Sequence, residues 1–471
     1  MPGTFGLLSP ATADPQLRSL TDDDAVVAAV LAVESAWVAV LENAGLAPAG
    51  SAASVQEAVR EGSFDAAELA AAGQGGGNPV IPIVARLRTL VAGRNAPAAA
   101  AVHASLTSQD VLDTALMWLA RKAVAPLRED VAGAAAGLAG LAKSHLDTLQ
   151  VARTLTQHSL PSTFGLKAAQ WFHGLASAAA RLDAIEFPVQ FGGASGTLAA
   201  GSVLAASAGT DPFTLADSWA RELGLAAAPA PWHTNRAAVT ALGDALASLC
   251  DAAGKVANDV LLLSRPEFGE LAEPRAAGRG VSSAMPQKQN PILSVLVRSA
   301  ALAAPHHAAQ LHLAAALSVD ERPDGAWHSE WAALLSLLQL AGGALAALRE
   351  VACGLQVFPA AMRRNLGLSG ALLLSEAVSA AVVPLLSDGG GSAGGRELFQ
   401  AVVDRALAAP AGDQGAEFAR LLRDAVPRHA LSDAGLDALL DPAGYLGESR
   451  AIVTRIFAAH PQWAPEGTSH E

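Results

Sequence analysis

Two hydroxyls, an amine and three side-chain amides fall within one twelve-residue block, Gly280-Val281-Ser282-Ser283-Ala284-Met285-Pro286-Gln287-Lys288-Gln289-Asn290-Pro291. Such groups can give or take a proton at carbon and hold an anion beside it. Asn290, Pro291 and the apolar run Ile292, Leu293, Leu296 predict a helix start, with Asn290 as N-cap and Pro291 at the first helical position. Gly269, Pro274, Gly278 and Gly280 upstream predict a loop. Ser282, Ser283 and Lys288 are therefore expected on a mobile loop that feeds a helix N-terminus. Free N–H groups and Lys288 would converge there on a carboxylate. A plain surface loop with ordinary capping leaves most of the block unexplained.

Three other polar islands interrupt the apolar sequence. Val102-His103-Ala104-Ser105-Leu106-Thr107-Ser108-Gln109-Asp110 leads into a helix with Val111, Leu112, Ala115, Leu116 and Leu119 on one side. Thr107 and Asp110 fit a capping box. His103 is either a substrate contact or a buried, hydrogen-bonded histidine. Arg153 to Lys167 holds His158 among threonines and serines. Phe191-Gly192-Gly193-Ala194-Ser195-Gly196-Thr197 is a glycine-rich turn before a helix. No strand is expected before it and neither nucleotide fingerprint fits, so close helix packing explains it as well as a phosphate loop does.

The elements that must position these islands are helical. Hydrophobic residues make up 51% of the 471, aromatics 4%, and Tyr445 is the only tyrosine, so alanine and leucine dominate. That composition excludes a wholly disordered chain and favours closely packed helices over sheet. The expected fold is all-α with near-nil strand, in three helical domains: residues 1–106, a central long-helix bundle over 107–354, and a smaller domain over 355–471. Thr21 to Asp24 predicts a helix start, and Val26, Val27, Val30, Trp37, Val40 and Leu41 recur at helical spacing until Gly45. Gly73 to Asn78 reads as a loop, and Gly389-Gly390-Gly391 as a break between the last, shorter helices. A lone bundle would leave a wide Ala/Leu surface exposed, which argues for self-association.

Charge and cysteine usage narrow the function classes. A net charge of −13 opposes nucleic acid or an anionic membrane as partner, so an anionic substrate needs local positive charge. Cys250 and Cys353 cannot make a zinc site, and two thiols in so long a chain fit a reducing cytosol. His306, His307 and His312 do not share a helix face at ligand spacing, so neither a metal nor another cofactor is expected. Met1 to Leu20 lacks a signal-peptide pattern. Trp331 to Leu348 is uncharged and long enough to suggest a membrane span. Its internal Ser336, Gln339, Gly342 and Gly343 favour a buried core helix in a soluble, cytoplasmic protein.

The block at Gly280–Pro291 resembles the signature loop of the fumarase/aspartase superfamily, Gly-Ser-Ser-x-Met-Pro-x-Lys-x-Asn-Pro, with Val281 in place of a glycine. The stretch from Val102 resembles that superfamily's Val-His-x-Gly-x-Thr-Ser-x-Asp segment, with Ser105 in place of a glycine. The resemblance implies a homotetramer with a shared central bundle and active sites built from three subunits. It implies Ser282 as acid or base at the substrate carbon and Lys288 and Asn290 as partners of an enolate or carboxylate. Thr107, Ser108 and Gln109 would clamp a carboxylate, with His103 beside them.

Arg153-Thr154-Leu155 resembles a segment that reads Arg-Thr-His in fumarases and adenylosuccinate lyases, where the histidine serves acid/base work on the leaving group. Leu155 holds that place here. An amine or hydroxide leaves badly without a proton, and acid catalysis is worth about 10²–10⁴ in rate. A carboxylate leaves well unprotonated. That points to the 3-carboxy-cis,cis-muconate cycloisomerase branch, which Thr163 to Trp171, Thr107 to Ala115, Pro231 to Thr234 and Gly325 to Trp331 also resemble. The implied substrate is a small tricarboxylate, 3-carboxymuconate, cyclised to 4-carboxymuconolactone in protocatechuate (β-ketoadipate) catabolism. His158 is then a supporting acid/base or carboxylate ligand. The rivals are another superfamily lyase, such as adenylosuccinate or argininosuccinate lyase, and a non-catalytic helical oligomer, which the intact serine and lysine disfavour.

Overall fold

The computed structural model describes residues 7–12, 14–386 and 391–464. Helices dominate it, as the Ala/Leu content requires. Long ones run over Asp23–Asn43, Ser108–Ser144, Phe164–Asp183, Ala237–Leu263, Ile292–Ala316 and Gly325–Gly354, and shorter ones over Val80–Ala92, Pro359–Gly367, Gly391–Leu407 and Gln414–Ala425. The first long helix begins as its sequence predicts. Asp22 caps it by accepting the Ala25 N–H at 2.8 Å, and Gly45 leaves it with φ +71°. Val30, Trp37 and Leu41 are fully buried along one face, and so is Glu34, the only charged side chain between Asp24 and Glu42. Gly391 opens a helix, while Gly389 and Gly390 lie outside the described residues.

Among the described residues, strand is confined to two short pairs, in keeping with the expected all-α fold. The sequence marks the island from Arg153 to Lys167 only as a polar break, yet most of it lies in an antiparallel hairpin of β1 (Leu149–Thr154) and β2 (Gln157–Thr163). A second short pair joins β3 (Leu271–Ala272) to β4 (Gln356–Val357). Val151, Thr154, Thr156 and Thr163 are β-branched, but six- and seven-residue strands give too little alternation to stand out from a polar loop.

The chain divides into two compact units of interleaved segments, Met1–Val131 with Ala178–Gly254 and Leu296–Ala347, and Ala132–Ser177 with Lys255–Val295 and Leu348–Glu471. In the first, Trp37 packs against Phe191 and Trp219 at ring separations of 5.0 and 5.2 Å. In the second, Phe399, Phe418, Leu421 and Leu422 centre the core of the C-terminal helices. Val151 of the hairpin packs with Leu366 and Leu373 in a separate, smaller cluster. Among the described residues, two helices, Asp23–Asn43 and Gly325–Gly354, are long and apolar enough to cross a membrane, and their most apolar windows are 61% and 72% buried inside the protein.

Candidate active site

In the first unit, the turn before the Ser108–Ser144 helix is pinned at three points. Arg88 donates to the Val102 carbonyl at 2.9 and 3.1 Å, Trp37 Nε1 donates to Ala104 O at 2.9 Å, and the His103 N–H donates to Glu34 Oε2 at 2.9 Å. His103 Nδ1 lies 2.6 Å from the other Glu34 oxygen, and its side chain keeps 16% exposure. His103 and Ser105 have φ of +60° and +65°, so Ser105 adopts the left-handed conformation that the family glycine would supply at less strain. Thr107 and Ser108 are half-buried, and Thr107 Oγ1 accepts from Arg322 Nη1 at 2.8 Å. Arg322 is a cation beside the expected carboxylate clamp that sequence reasoning missed.

Half of the capping box forms. Asp110 Oδ2 accepts the Thr107 N–H at 3.0 Å. The same carboxylate accepts the Gly192 and Gly193 N–H groups at 2.9 and 3.0 Å, and His233 Nε2 lies 2.8 Å from its Oδ1. A Cβ at Gly192 would come within 2.6 Å of the His233 ring. The glycines thus let a turn close on Asp110. Gln109 is fully buried, and its amide donates to His233 O at 2.9 Å and to Asp113 at 3.2 Å, so it faces inward rather than toward solvent. Arg236 bridges Asp113 and Glu330, both at 2.7 Å, and Trp327 Nε1 donates to Asp113 at 2.9 Å. Burial pushes the Glu330 carboxyl above its usual range against the pull of Arg236.

In the second unit, His158 sits on β2 opposite Arg153 of β1, with its Nδ1 2.9 Å from Ser369 Oγ. Burial, and then the Arg153 guanidinium, hold His158 below its ordinary value against the pull of Glu270, and this favours the neutral ring. Arg153 is bound to the fully buried Glu270 at 2.6 Å, which also accepts from Asn365 at 2.7 Å. Leu155 and Thr156 form the two-residue turn between the strands, with φ of +49° and +71°. Such turns favour Asn-Gly, so a leucine and a threonine there are strained. Leu155, where the resemblance implies a histidine in other branches, is 96% exposed in this chain.

The signature loop is a narrow hairpin. Val281 pairs with Gln289 in an antiparallel bridge, and the Asn290 N–H and Nδ2 both donate to Gly280 O, at 2.9 and 3.1 Å. Gly280 has φ +68°, and a Cβ on it would lie 2.3 Å from Asn290 O. The demand for glycine therefore falls on Gly280, while Val281 sits in an ordinary backbone region, 59% exposed. Arg279, at the base, is held by both oxygens of Glu350. Ser282 Oγ accepts the Met285 N–H at 3.1 Å, which favours negative charge on that oxygen and leaves its own proton free to move. Lys288 is exposed, and among the described residues it makes no ion pair.

Two expectations about this loop need correction. The helix starts at Ile292, and the Asn290 side chain closes the loop onto Gly280 instead of capping the helix. Nor are the first N–H groups open to a substrate, because Glu273 accepts from Leu293 and Ser294 at 3.1 and 2.6 Å. A buried carboxylate arriving from about twenty residues away satisfies the helix end as well as a local cap does.

His103, Thr107, Ser108 and Gln109 thus lie in the first unit, and His158, Ser282, Lys288 and Asn290 in the second. Sequence reasoning missed Glu34, Arg322, Glu273 and the pairing of Asp110 with His233. Only Glu34 carried a signal, as a lone charge inside an apolar helical pattern. Of the three histidines considered for metal binding, His312 lies 2.9 Å from Asp244 at the surface.

The profile of the Lyase family matches residues 10–304. A nitrosuccinate lyase of Streptomyces davaonensis is 43% identical over 96% of this chain and 94% of its own. A 3-carboxy-cis,cis-muconate cycloisomerase of Bradyrhizobium diazoefficiens is 38% identical over 96% and 97%. The crystal structure of the 3-carboxy-cis,cis-muconate lactonizing enzyme from Pseudomonas putida superposes with a TM-score of 0.86 at 32% identity, covering 98% of this chain and 100% of that one.

Proposed function

The chain is an enzyme that belongs to the lyase family, and from that premise we propose that it is a cycloisomerase that closes 3-carboxy-cis,cis-muconate to 4-carboxymuconolactone. The observation that carries this reading is Leu155 at the position of the leaving-group acid. Without that acid, elimination at a useful rate needs a weakly basic leaving group, and in the reverse of this lactonisation the group that leaves is a carboxylate.

In the forward direction one carboxylate oxygen forms a C–O bond to an alkene carbon. The electron pair moves toward the neighbouring carboxylate as an enolate, and a proton is delivered to the adjacent carbon. Ser282 donates that proton, helped by the N–H that its Oγ accepts. Lys288 and Asn290 bind the enolate or its parent carboxylate, since a cation beside developing charge lowers the barrier. Thr107 and Ser108 clamp a second carboxylate, with Arg322 supplying the charge. Gln109, turned inward, positions this helix end through His233. His158, neutral, orients a carboxylate or relays a proton.

The working form is a cytoplasmic homotetramer with sites shared between subunits. Leu302, Leu313 and Leu317 are 65%, 57% and 67% exposed on or beside one helix, an apolar surface that other copies would cover. Light scattering at four subunit masses is the expected result.

A second reading has its own support in the relative named a nitrosuccinate lyase. Nitrite is also a weakly basic leaving group, so Leu155 suits its elimination equally. The two readings separate in one experiment. Purified protein is incubated with 3-carboxymuconate, following loss of the diene absorbance, and with nitrosuccinate, following nitrite. Diene loss supports the cycloisomerase, nitrite release alone favours the second reading, and no change in either at micromolar enzyme sinks both.

A further inference from the structure

Glu34 is a fully buried carboxylate that the proposed chemistry does not use. It sits on the Asp23–Asn43 helix one turn before Trp37, so a single helical face grips the 102–105 turn on both sides of His103. The His103 N–H needs only one acceptor, and a neutral side chain would supply that. The second Glu34 oxygen, 2.6 Å from Nδ1, has a different consequence. A carboxylate oxygen is an acceptor only, so the ring nitrogen facing it must carry hydrogen. Nε2, which makes no hydrogen bond among the described residues, is then the ring nitrogen left for a ligand.

We infer that Glu34 is a positioning residue that fixes His103 as the Nδ1–H ring, so that Nε2 meets a substrate carboxylate. Facing an anion, Nε2 must itself be protonated, and Glu34 then balances the imidazolium from behind. The ring binds polycarboxylates as a cation whose counter-charge is built into the neighbouring helix. This rests on the reading of His103 as a substrate contact.

Glu34→Gln tests it by geometry. Its amide oxygen still accepts the His103 N–H, but its NH₂ group faces Nδ1 and forces that nitrogen to accept. The proton moves to Nε2 of a neutral ring. In protein labelled with ¹⁵N-histidine, with the His103 signals assigned by their loss in His103→Ala, the wild type should show hydrogen on Nδ1. Glu34→Gln should show it on Nε2 alone. With whichever substrate is turned over, Glu34→Gln should lower kcat/KM about tenfold or more, chiefly through KM. In a His103→Ala background the same substitution should change it less than about twofold. An equal loss in both backgrounds would make Glu34 merely structural and overturn the inference, as would a wild-type ring protonated only at Nε2. Should Glu34→Gln fail to fold, the wild-type spectrum alone decides. If neither substrate is turned over, the proposed function falls while the spectrum still judges the Glu34–His103 pair.

Discussion

Arg153 and His158 face each other across β1 and β2, and the turn that joins their strands is Leu155-Thr156 with both residues left-handed. A β-branched residue at positive φ costs roughly 1–3 kcal/mol, which glycine avoids while adding some unfolded-state entropy. Thr156→Gly should therefore raise stability by about 1 kcal/mol in denaturant titration. Leu155→His should not accelerate lactonisation. A large gain in rate would show that an acid was lacking and that the branch is wrongly assigned.

The signature loop separates chemistry from binding. Ser282→Ala should lower kcat by at least about 10²-fold with little change in KM, because it removes a proton donor on an exposed loop. Lys288→Met should raise KM and lower kcat together. Ser283→Ala is the control. Loss of kcat in Ser283→Ala with near-normal Ser282→Ala would move the donor by one residue, and activity in both would make His158 the first residue to test.

Arg236 neutralises two buried acids. Arg236→Met leaves Asp113 and Glu330 facing each other without a cation, and a loss of about 3–5 kcal/mol is expected. Glu330→Gln should cost far less, since burial already favours its neutral form and the amide oxygen can still accept from Arg236. Chemical denaturation of the two variants reads the difference, and equal losses would refute this account of the network.

Stability should fall in mild acid. His173 Nδ1 and His460 Nε2 lie 2.7 Å apart, joining the Phe164–Asp183 helix to the end of the Ser449–Ala459 helix. Burial, and then His173, hold His460 below its ordinary 6.5. A base depressed on folding binds its proton more readily unfolded, so its contribution is present above 6.5 and lost as pH drops through the folded value. Melting temperature should decline below pH 6.5, and His460→Phe should flatten that decline. An unchanged slope in the variant would exclude the pair as its source.

The helical fold, the buried face of the first helix and the loop character of Gly278–Pro291 were legible in the sequence. They depend on spacings of a few residues, such as Val30 to Trp37, or on glycines needed where φ is positive. Thr107 and Asp110 announced a helix start for the same reason. Whether a polar side chain turns outward to a substrate or inward to a partner was not legible. Gln109 faces His233 across 124 positions, Glu34 reaches His103 across 69, and Glu273 caps a helix that Asn290 seemed fit to cap. Local pattern records periodicity and turn chemistry. Only packing brings distant donors and acceptors within 3 Å, and there the cost of leaving a buried polar group unpaired decides which of them meet.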